Sequence, residues 1–174
     1  GGAWITTSLS RADGATPAPI ETLLYRVTSN YFDVAGVRFR GGATWTAAGA
    51  ASSQMVVLDE VVAQQLFGGS DPVGQQIRAT EPAGVFTVAG TVTHVSARGP
   101  EAQDWPAAYF ALRPNPARNF AGLFVKTSRP ATEVPPVALD ALKPFAPVSS
   151  LPFVLMPDEA VNRITASRRF NAWL

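Results

Sequence analysis

The 174-residue sequence has no cysteine, a single histidine and almost no excess charge, with 14 Lys and Arg residues against 13 Asp and Glu residues. The absence of cysteine excludes disulfides, thiolate chemistry and Cys-ligated zinc, and it suits either the cytosol or the periplasm. A net charge of +1 is too balanced for the basic footprint of a nucleic-acid-binding protein. No apolar run approaches the roughly 18 residues that a membrane-spanning helix needs. We therefore expect a folded domain without a nucleic-acid partner.

The residues that are present have an ordinary globular composition. Hydrophobic residues make up 47% of the chain and charged residues 16%, far from the composition of disordered chains. A chain of this length buries roughly 70% of its unfolded surface, which is enough for one compact domain or two small subdomains. Because residues 170–174 continue an increasingly apolar helical pattern, we expect the domain to be part of a longer protein.

The most explicit local pattern covers residues 55–78, MVVLDEVVAQQLFGGSDPVGQQIR. It predicts a short apolar strand, a helix with an acidic N-cap, a glycine stop and a proline turn before a second strand. Its parts are the strand 55–58, the cap Asp59, the helical face of Val61, Val62 and Leu66, the stop at Gly68 and Gly69, the turn at Asp71 and Pro72, and the strand 76–79. The pattern indicates a scaffold without a reactive group.

The rest of the chain predicts further short strands and helices, and therefore an α+β fold. Strands are predicted at 3–9, 22–28, 37–40, 85–95 with a bulge or close packing at Gly90, 107–112, 123–126 and 153–156. Helices are predicted from an N-cap at Ser29 to Gly36, from Pro135 to Lys143, and after the cap Asp158. Two β-α-β halves that complete one layer, with the segment 53–116 inserted between them, would give each apolar face a partner.

Reactive side chains are few, and each has a structural explanation. His94 is predicted to be an ordinary histidine at the edge of a strand, since no second His or Cys exists to complete a common zinc site and a catalytic His needs partners. Carboxylates at helix starts are favoured by unsatisfied N–H groups, and loop serines without a nucleophile-elbow pattern are turn residues. The pairs concerned are Asp59 and Glu60, Asp158 and Glu159, Ser52 and Ser53, and Ser149 and Ser150.

Two further segments are similarly interpreted as structural. The loop 68–74 follows a predicted helix and lacks the Gly-Lys-Ser/Thr ending, so it is not a phosphate-binding loop. The basic and aromatic segment 38–40, with Tyr31 and Phe32, is more typical of strand packing than of nucleic-acid stacking. The sequence therefore predicts no catalytic, no cofactor-binding and no metal-binding residue.

Four stretches together carry a family resemblance, in their order and spacing: YRVTSNYFDVAGVRFRGG, VVLDEVVAQQLFGGSDPVGQQIR, FTVAGTVTHVSARG and SRRFNAWL. The chain resembles the MacB-like periplasmic core domain, the extracytoplasmic part of ABC transporter permeases of the FtsX-like family. The resemblance covers nearly the whole chain. It departs from the common family pattern at Gly42, Asp59 and Gln75, which leaves the subfamily open.

The resemblance implies a discontinuous subdomain similar to the porter domains of efflux pumps, formed by 1–52 and 117–160. A smaller mixed α/β lobe at 53–116 would be inserted in it, and residues 161–174 would form a stalk helix leading towards a transmembrane helix. The implied function is a non-enzymatic periplasmic domain of an inner-membrane ABC permease, without a cofactor, which transmits ATP-driven conformational change.

The partners implied by the resemblance are a cytoplasmic ABC ATPase subunit, a periplasmic adaptor or lipoprotein, and a second permease copy in a homodimer. One alternative is an extracytoplasmic ligand-sensing or solute-binding module, which predicts a concave pocket with convergent polar groups. A hydrolase is the poorest alternative, because the chain has only one histidine to act as a base.

Overall fold

The computed structural model describes residues 5–15, 18–46, 54–95, 105–113, 125–130 and 133–144. The chain divides into two compact units, Gly1–Phe124 and Val125–Leu174. The predicted strand 153–156, the helix after Asp158 and the stalk 161–174 lie outside the described residues.

The first unit contains seven strands and two short helices among its described residues, and the second contains one described helix. They are β1 (Thr6–Arg11), β2 (Ile20–Val27), α1 (Tyr31–Ala35), β3 (Phe39–Gly42), β4 (Met55–Asp59), α2 (Glu60–Phe67), β5 (Gln76–Thr80), β6 (Ala83–Val92), β7 (Ala107–Ala111) and α3 (Val134–Leu142).

Most predicted elements are confirmed to within a few residues, but two expectations are wrong. Ser29 does not cap α1: the N-cap position is Asn30, whose side chain makes no capping hydrogen bond, while Gly36 ends the helix with φ 71°. Val125 and Lys126, the described part of the predicted strand 123–126, do not form a strand. An apolar run of four residues fits several local structures, and only tertiary pairing decides among them.

The strands form one mixed sheet in the order β3-β6-β4-β7-β2-β1-β5, and β5 also pairs with β6. Six strands therefore close into a ring, and β3 is added beside the C-terminal part of β6, where Phe39 pairs with Val92. β2 with β7 and β4 with β6 are parallel pairs, while the other pairs are antiparallel. Closure of the ring leaves β3 as the strand with an open edge among the described strands.

Both faces of the central strands are buried, so their residues alternate between two hydrophobic clusters. In β7, Ala108 and Phe110 belong to the cluster that α2 covers, whereas Tyr109 and its alternate neighbours belong to a second cluster with Phe32 of α1 and Trp45. This alternation is the period of two that a strand imposes on its side chains. It explains why β7 is buried at all five positions.

The predicted irregularity at Gly90 is confirmed as a β-bulge. The register between β4 and β6 shifts there, since Val56 pairs with Val88 but Val57 pairs with Gly90. A Cβ atom at Gly90 would lie 2.9 Å from the backbone oxygen of Gly41. The close approach of the β3 backbone to β6 at this bulge therefore requires glycine.

The α+β class is confirmed, with a core dominated by the sheet. Strands β1 and β2 come from segment 1–52 and strands β4 to β7 from segment 53–116, yet they hydrogen-bond in the same sheet. The division into a porter-like subdomain, an inserted lobe and a stalk stays a prediction, and any boundary at residue 53 or 116 has to accommodate this shared sheet.

Candidate functional site

The junction of β4 and α2 is organised by Asp59, as the sequence predicted for a helix cap. Its side-chain Oδ1 accepts a hydrogen bond from the backbone N–H of Val61 at 2.8 Å. The residue is fully buried. Asp59 therefore fixes the junction between β4 and α2 by capping the helix.

His94 lies against this buried carboxylate, which the sequence did not predict. Its ring Nδ1 is 2.5 Å from Asp59 Oδ2, and its backbone N–H donates to Glu60 Oε1 at 3.1 Å. Because β4 and β6 are parallel and remain paired up to Asp59 and Val92, the residues that follow both strands meet at the same end of the sheet. Arg40 of β3 adds a hydrogen bond from its Nε to Glu60 Oε2 at 3.1 Å.

The two neighbouring carboxylates have opposite electrostatic environments. Burial raises the pKa of Asp59, and the hydrogen bonds from Val61 and His94 offset that rise only in part. The pKa of Glu60 is lowered, first by the hydrogen bond from the backbone of His94 and then by Arg40. Burial likewise raises the pKa of Tyr109 on the adjacent strand. The surroundings of Asp59 thus disfavour its charged form, whereas those of Glu60 favour the ionised form.

This arrangement connects β4, β6 and α2 through the contacts of Asp59, Glu60 and His94. A His–Asp pair can orient an imidazole, but catalysis also needs a nucleophile or substrate group within hydrogen-bond reach. Within the described ranges, no group of three His, Asp or Glu side chains is placed to hold a metal ion. The expectation that the chain has no catalytic, cofactor or metal residue stays a prediction.

The loop 68–74 forms a tight turn that borders a shallow groove. Gly68 ends α2 with φ 59°, Asp71 Oδ1 accepts from the N–H of Val73 at 3.0 Å, and Gly74 donates to the carbonyl of Val88 in β6 at 2.8 Å. The groove has a volume of about 220 Å³ and is lined by polar and apolar residues of α2, the turn and β6. The turn follows a helix, as the sequence indicated, and presents side chains rather than a phosphate cradle.

The other segments weighed from the sequence are found in packing roles or lie outside the described residues. Phe39 packs edge-on against Phe32 with ring centroids 5.0 Å apart, and the ring centroids of Tyr31 and Tyr109 are 5.9 Å apart. These contacts confirm that the aromatic residues of this segment pack against the sheet. The pairs at 52–53, 149–150 and 158–159 lie outside the described residues.

The family comparison agrees with this architecture. Residues 3–134 match the model of the MacB-like periplasmic core domain, a match over about three quarters of the chain. The chain belongs to this family. It is accordingly a periplasmic domain of the kind found in ABC transporter permeases of the MacB and FtsX-like type.

Solved structures support the same fold at low sequence identity. The periplasmic region of MacB from Actinobacillus actinomycetemcomitans is 19% identical with a TM-score of 0.57, over 81% of this chain and 63% of that one. A domain of a candidate permease protein from Porphyromonas gingivalis is 16% identical with a TM-score of 0.54, over 83% of this chain and 62% of that one. The chain thus spans less than two thirds of each solved domain.

No curated protein matches the sequence. Among the residues that the structure describes, no helix combines the length and the apolar character that crossing a bilayer requires.

Proposed function

We propose that this domain is non-catalytic and transmits ATP-driven conformational change to a substrate, an adaptor or a lipoprotein partner outside the inner membrane. The driving subunit would be a cytoplasmic ABC ATPase that acts through the membrane part of the permease. A permease of this kind would work as a homodimer.

The closed ring of six strands is the observation that carries the proposal. Its strands pair on both edges, and its central residues are buried on both faces. Tightly packed interiors have low compressibility and transmit strain. A displacement applied to one strand of this ring is therefore passed to the others, as a mechanical element requires. Family membership over residues 3–134 supplies the transporter context.

The experiment compares the two compact units during ATP turnover. Spin labels at exposed Arg78 of β5 and exposed Val137 of α3 would report the distance between the first and second units in the full-length permease, reconstituted with its ATPase. We expect the distance distribution to shift under turnover, and to stay unchanged with a hydrolysis-deficient ATPase. Identical distributions in both samples would contradict the proposal.

The alternative, a solute-binding module, has less support. The groove beside the 68–74 turn measures about 220 Å³, whereas small-molecule sites usually enclose roughly 300 to 1,000 Å³. Stabilisation of the isolated domain against heat by a small solute would favour the alternative.

A further inference from the structure

The single histidine of the chain lies against a buried carboxylate while its own ring still reaches water. The side chain of Asp59 is 1% exposed and that of His94 is 23% exposed. Nδ1 of the ring is 2.5 Å from Asp59 Oδ2, and Asp59 Oδ1 accepts from the N–H of Val61. Both carboxylate oxygens are therefore engaged by nitrogen atoms, and the ring is the part of this cluster that can move into solvent.

The segment 93–95, which carries the ring, follows the end of β6. Thr93 donates its backbone N–H to the carbonyl of Arg38 at 2.9 Å. His94 donates its backbone N–H to a side chain instead, Glu60 Oε1 of α2, at 3.1 Å. The backbone contact fixes the start of the segment, whereas the position of the histidine depends on carboxylate side chains at the junction of β4 and α2.

The contact between His94 and Asp59 depends on how many protons the pair holds. With one proton, an imidazolium faces a carboxylate or a neutral imidazole faces a carboxylic acid, and with none, Nδ1–H can still donate to the carboxylate. With two protons, an imidazolium faces a neutral carboxylic acid, and the attraction between opposite charges is lost. A neutral carboxyl tolerates burial, while an imidazolium is better solvated in water. Acid therefore favours outward movement of the ring.

The charged and titratable groups around the pair come from four elements. Asp59 ends β4, Glu60 begins α2, Arg40 of β3 pairs with Glu60, and Tyr109 of β7 interacts electrostatically with Asp59. Burial raises the pKa of Asp59, so its carboxyl is protonated at a less acidic pH than an ordinary aspartate. The hydrogen bond from the backbone of His94 and the charge of Arg40 lower the pKa of Glu60, and burial raises the pKa of Tyr109. Glu60 thus stays ionised and Tyr109 neutral while Asp59 takes up its proton.

We propose that His94 and Asp59 form an acid-sensitive latch, in which uptake of a second proton by the pair releases His94 from the junction of β4 and α2. The latch is closed near neutral pH and open in mild acid. Opening is local, because a neutral Asp59 remains compatible with its buried site and Thr93 stays paired with Arg38. Such a latch would let a periplasmic domain respond to the acidity of its surroundings. This inference goes beyond the proposed function, since the ring can be observed whether or not transmission occurs.

The test measures how accessible the His94 ring is at different pH values. Because the 174-residue chain has one histidine, the Cε1–H resonance of its ring is identified directly by NMR. A neutral, water-soluble paramagnetic probe then reports the exposure of that proton. Since the side chain is 23% exposed in the closed state, we expect its paramagnetic relaxation to increase about threefold between pH 7.5 and pH 4.5, with the tryptophan indole signals unchanged. Constant relaxation, or loss of the folded indole signals over the same range, would overturn a local latch.

Two variants assign the transition to Asp59. D59N removes the anion that holds an imidazolium, so its ring should be released as soon as the ring itself is protonated, at a higher pH than in the unmodified chain. E60Q is the matched control: it makes the same carboxylate-to-amide change at the next residue, whose side chain accepts from the backbone of His94. Its midpoint should move by less than about 0.3 pH units. Equal midpoints for D59N and the unmodified chain, or an equally large shift in E60Q, would reject the latch.

Discussion

Asp59 has a carboxyl group that is almost inaccessible to water, with 1% of its side chain exposed, so its neighbours determine whether it can carry a charge. Because burial raises its folded-state pKa above the unfolded value, Asp59 favours folding at low pH, and this contribution is lost as the pH rises through the folded pKa. The ring of His94, 2.5 Å away, is the nearest side-chain partner that offsets this loss.

Removing the His94 ring should therefore lower the stability of the protein at a pH where Asp59 ionises. In H94A we expect the free energy of unfolding to fall between pH 4.5 and pH 8, because Asp59 then ionises without its side-chain donor. In D59N/H94A the titrating group is gone, and the double variant should exceed H94A in stability at pH 8 by about 1 to 3 kcal/mol. Urea unfolding at both pH values measures this. If D59N lowers stability in the H94A background at pH 8, the argument is wrong.

The cap at Asp59 was predictable from the sequence, and the contact with His94 was not. Capping depends on the residue type at a strand-to-helix junction, which is local information. The contact joins residues 35 positions apart and depends on the parallel register of β4 and β6, which no local pattern specifies. His94, predicted from the sequence to be an ordinary histidine at the edge of a strand, is therefore expected to contribute to stability.

At the scale of elements, the pairing of β3 with β6 depends on glycine at the bulge. A methyl group at Gly90 would meet the backbone of Ala43 and Gly41 at 2.9 Å, and backbone atoms cannot yield as a flexible side chain can. We expect Gly90→Ala to lower the free energy of unfolding by about 1 to 3 kcal/mol, as overpacking does. Chemical denaturation monitored by tryptophan fluorescence gives the value.

Gly41→Ala is the matched control, because it adds the same methyl group in the adjacent strand. Its nearest neighbours would be side-chain atoms of Thr91 at 3.6 Å and Val73 at 3.9 Å, which are ordinary contacts. Its cost should stay below about 1 kcal/mol, within the usual range for tolerated substitutions. Equal losses in the two variants would show that the close backbone approach is not the cause.

The elements themselves were largely predictable, since apolar runs, glycine stops and proline turns act locally. The Met55–Asp59 strand and the Glu60–Phe67 helix follow the pattern read from the sequence within one residue. Strand order was not predictable in the same way: β2 pairs with β7, more than 80 residues later. Such pairing is decided by packing of the whole sheet, which accounts for the difference between the expected inserted lobe and the shared sheet.

At the scale of the whole first unit, ring closure predicts a graded pattern of backbone protection. Hydrogen exchange measured by mass spectrometry should be slowest in β7, which is buried on both faces and paired on both edges. It should be faster in β3, which is half exposed and added beside the ring, because its amides open without global unfolding. Equal protection of β3 and β7 would contradict an open edge at β3.

The open edge of β3 also bears on how the protein behaves at high concentration. A strand with unpaired backbone groups is a template for intermolecular pairing and aggregation. β3 is only four residues long, displays the charged side chain of Arg40, and ends at Gly42 with φ 66°, three features that hinder the docking of a second strand. Among the strands that the structure describes, the open edge is therefore confined to one short segment that is poorly suited to edge-to-edge association.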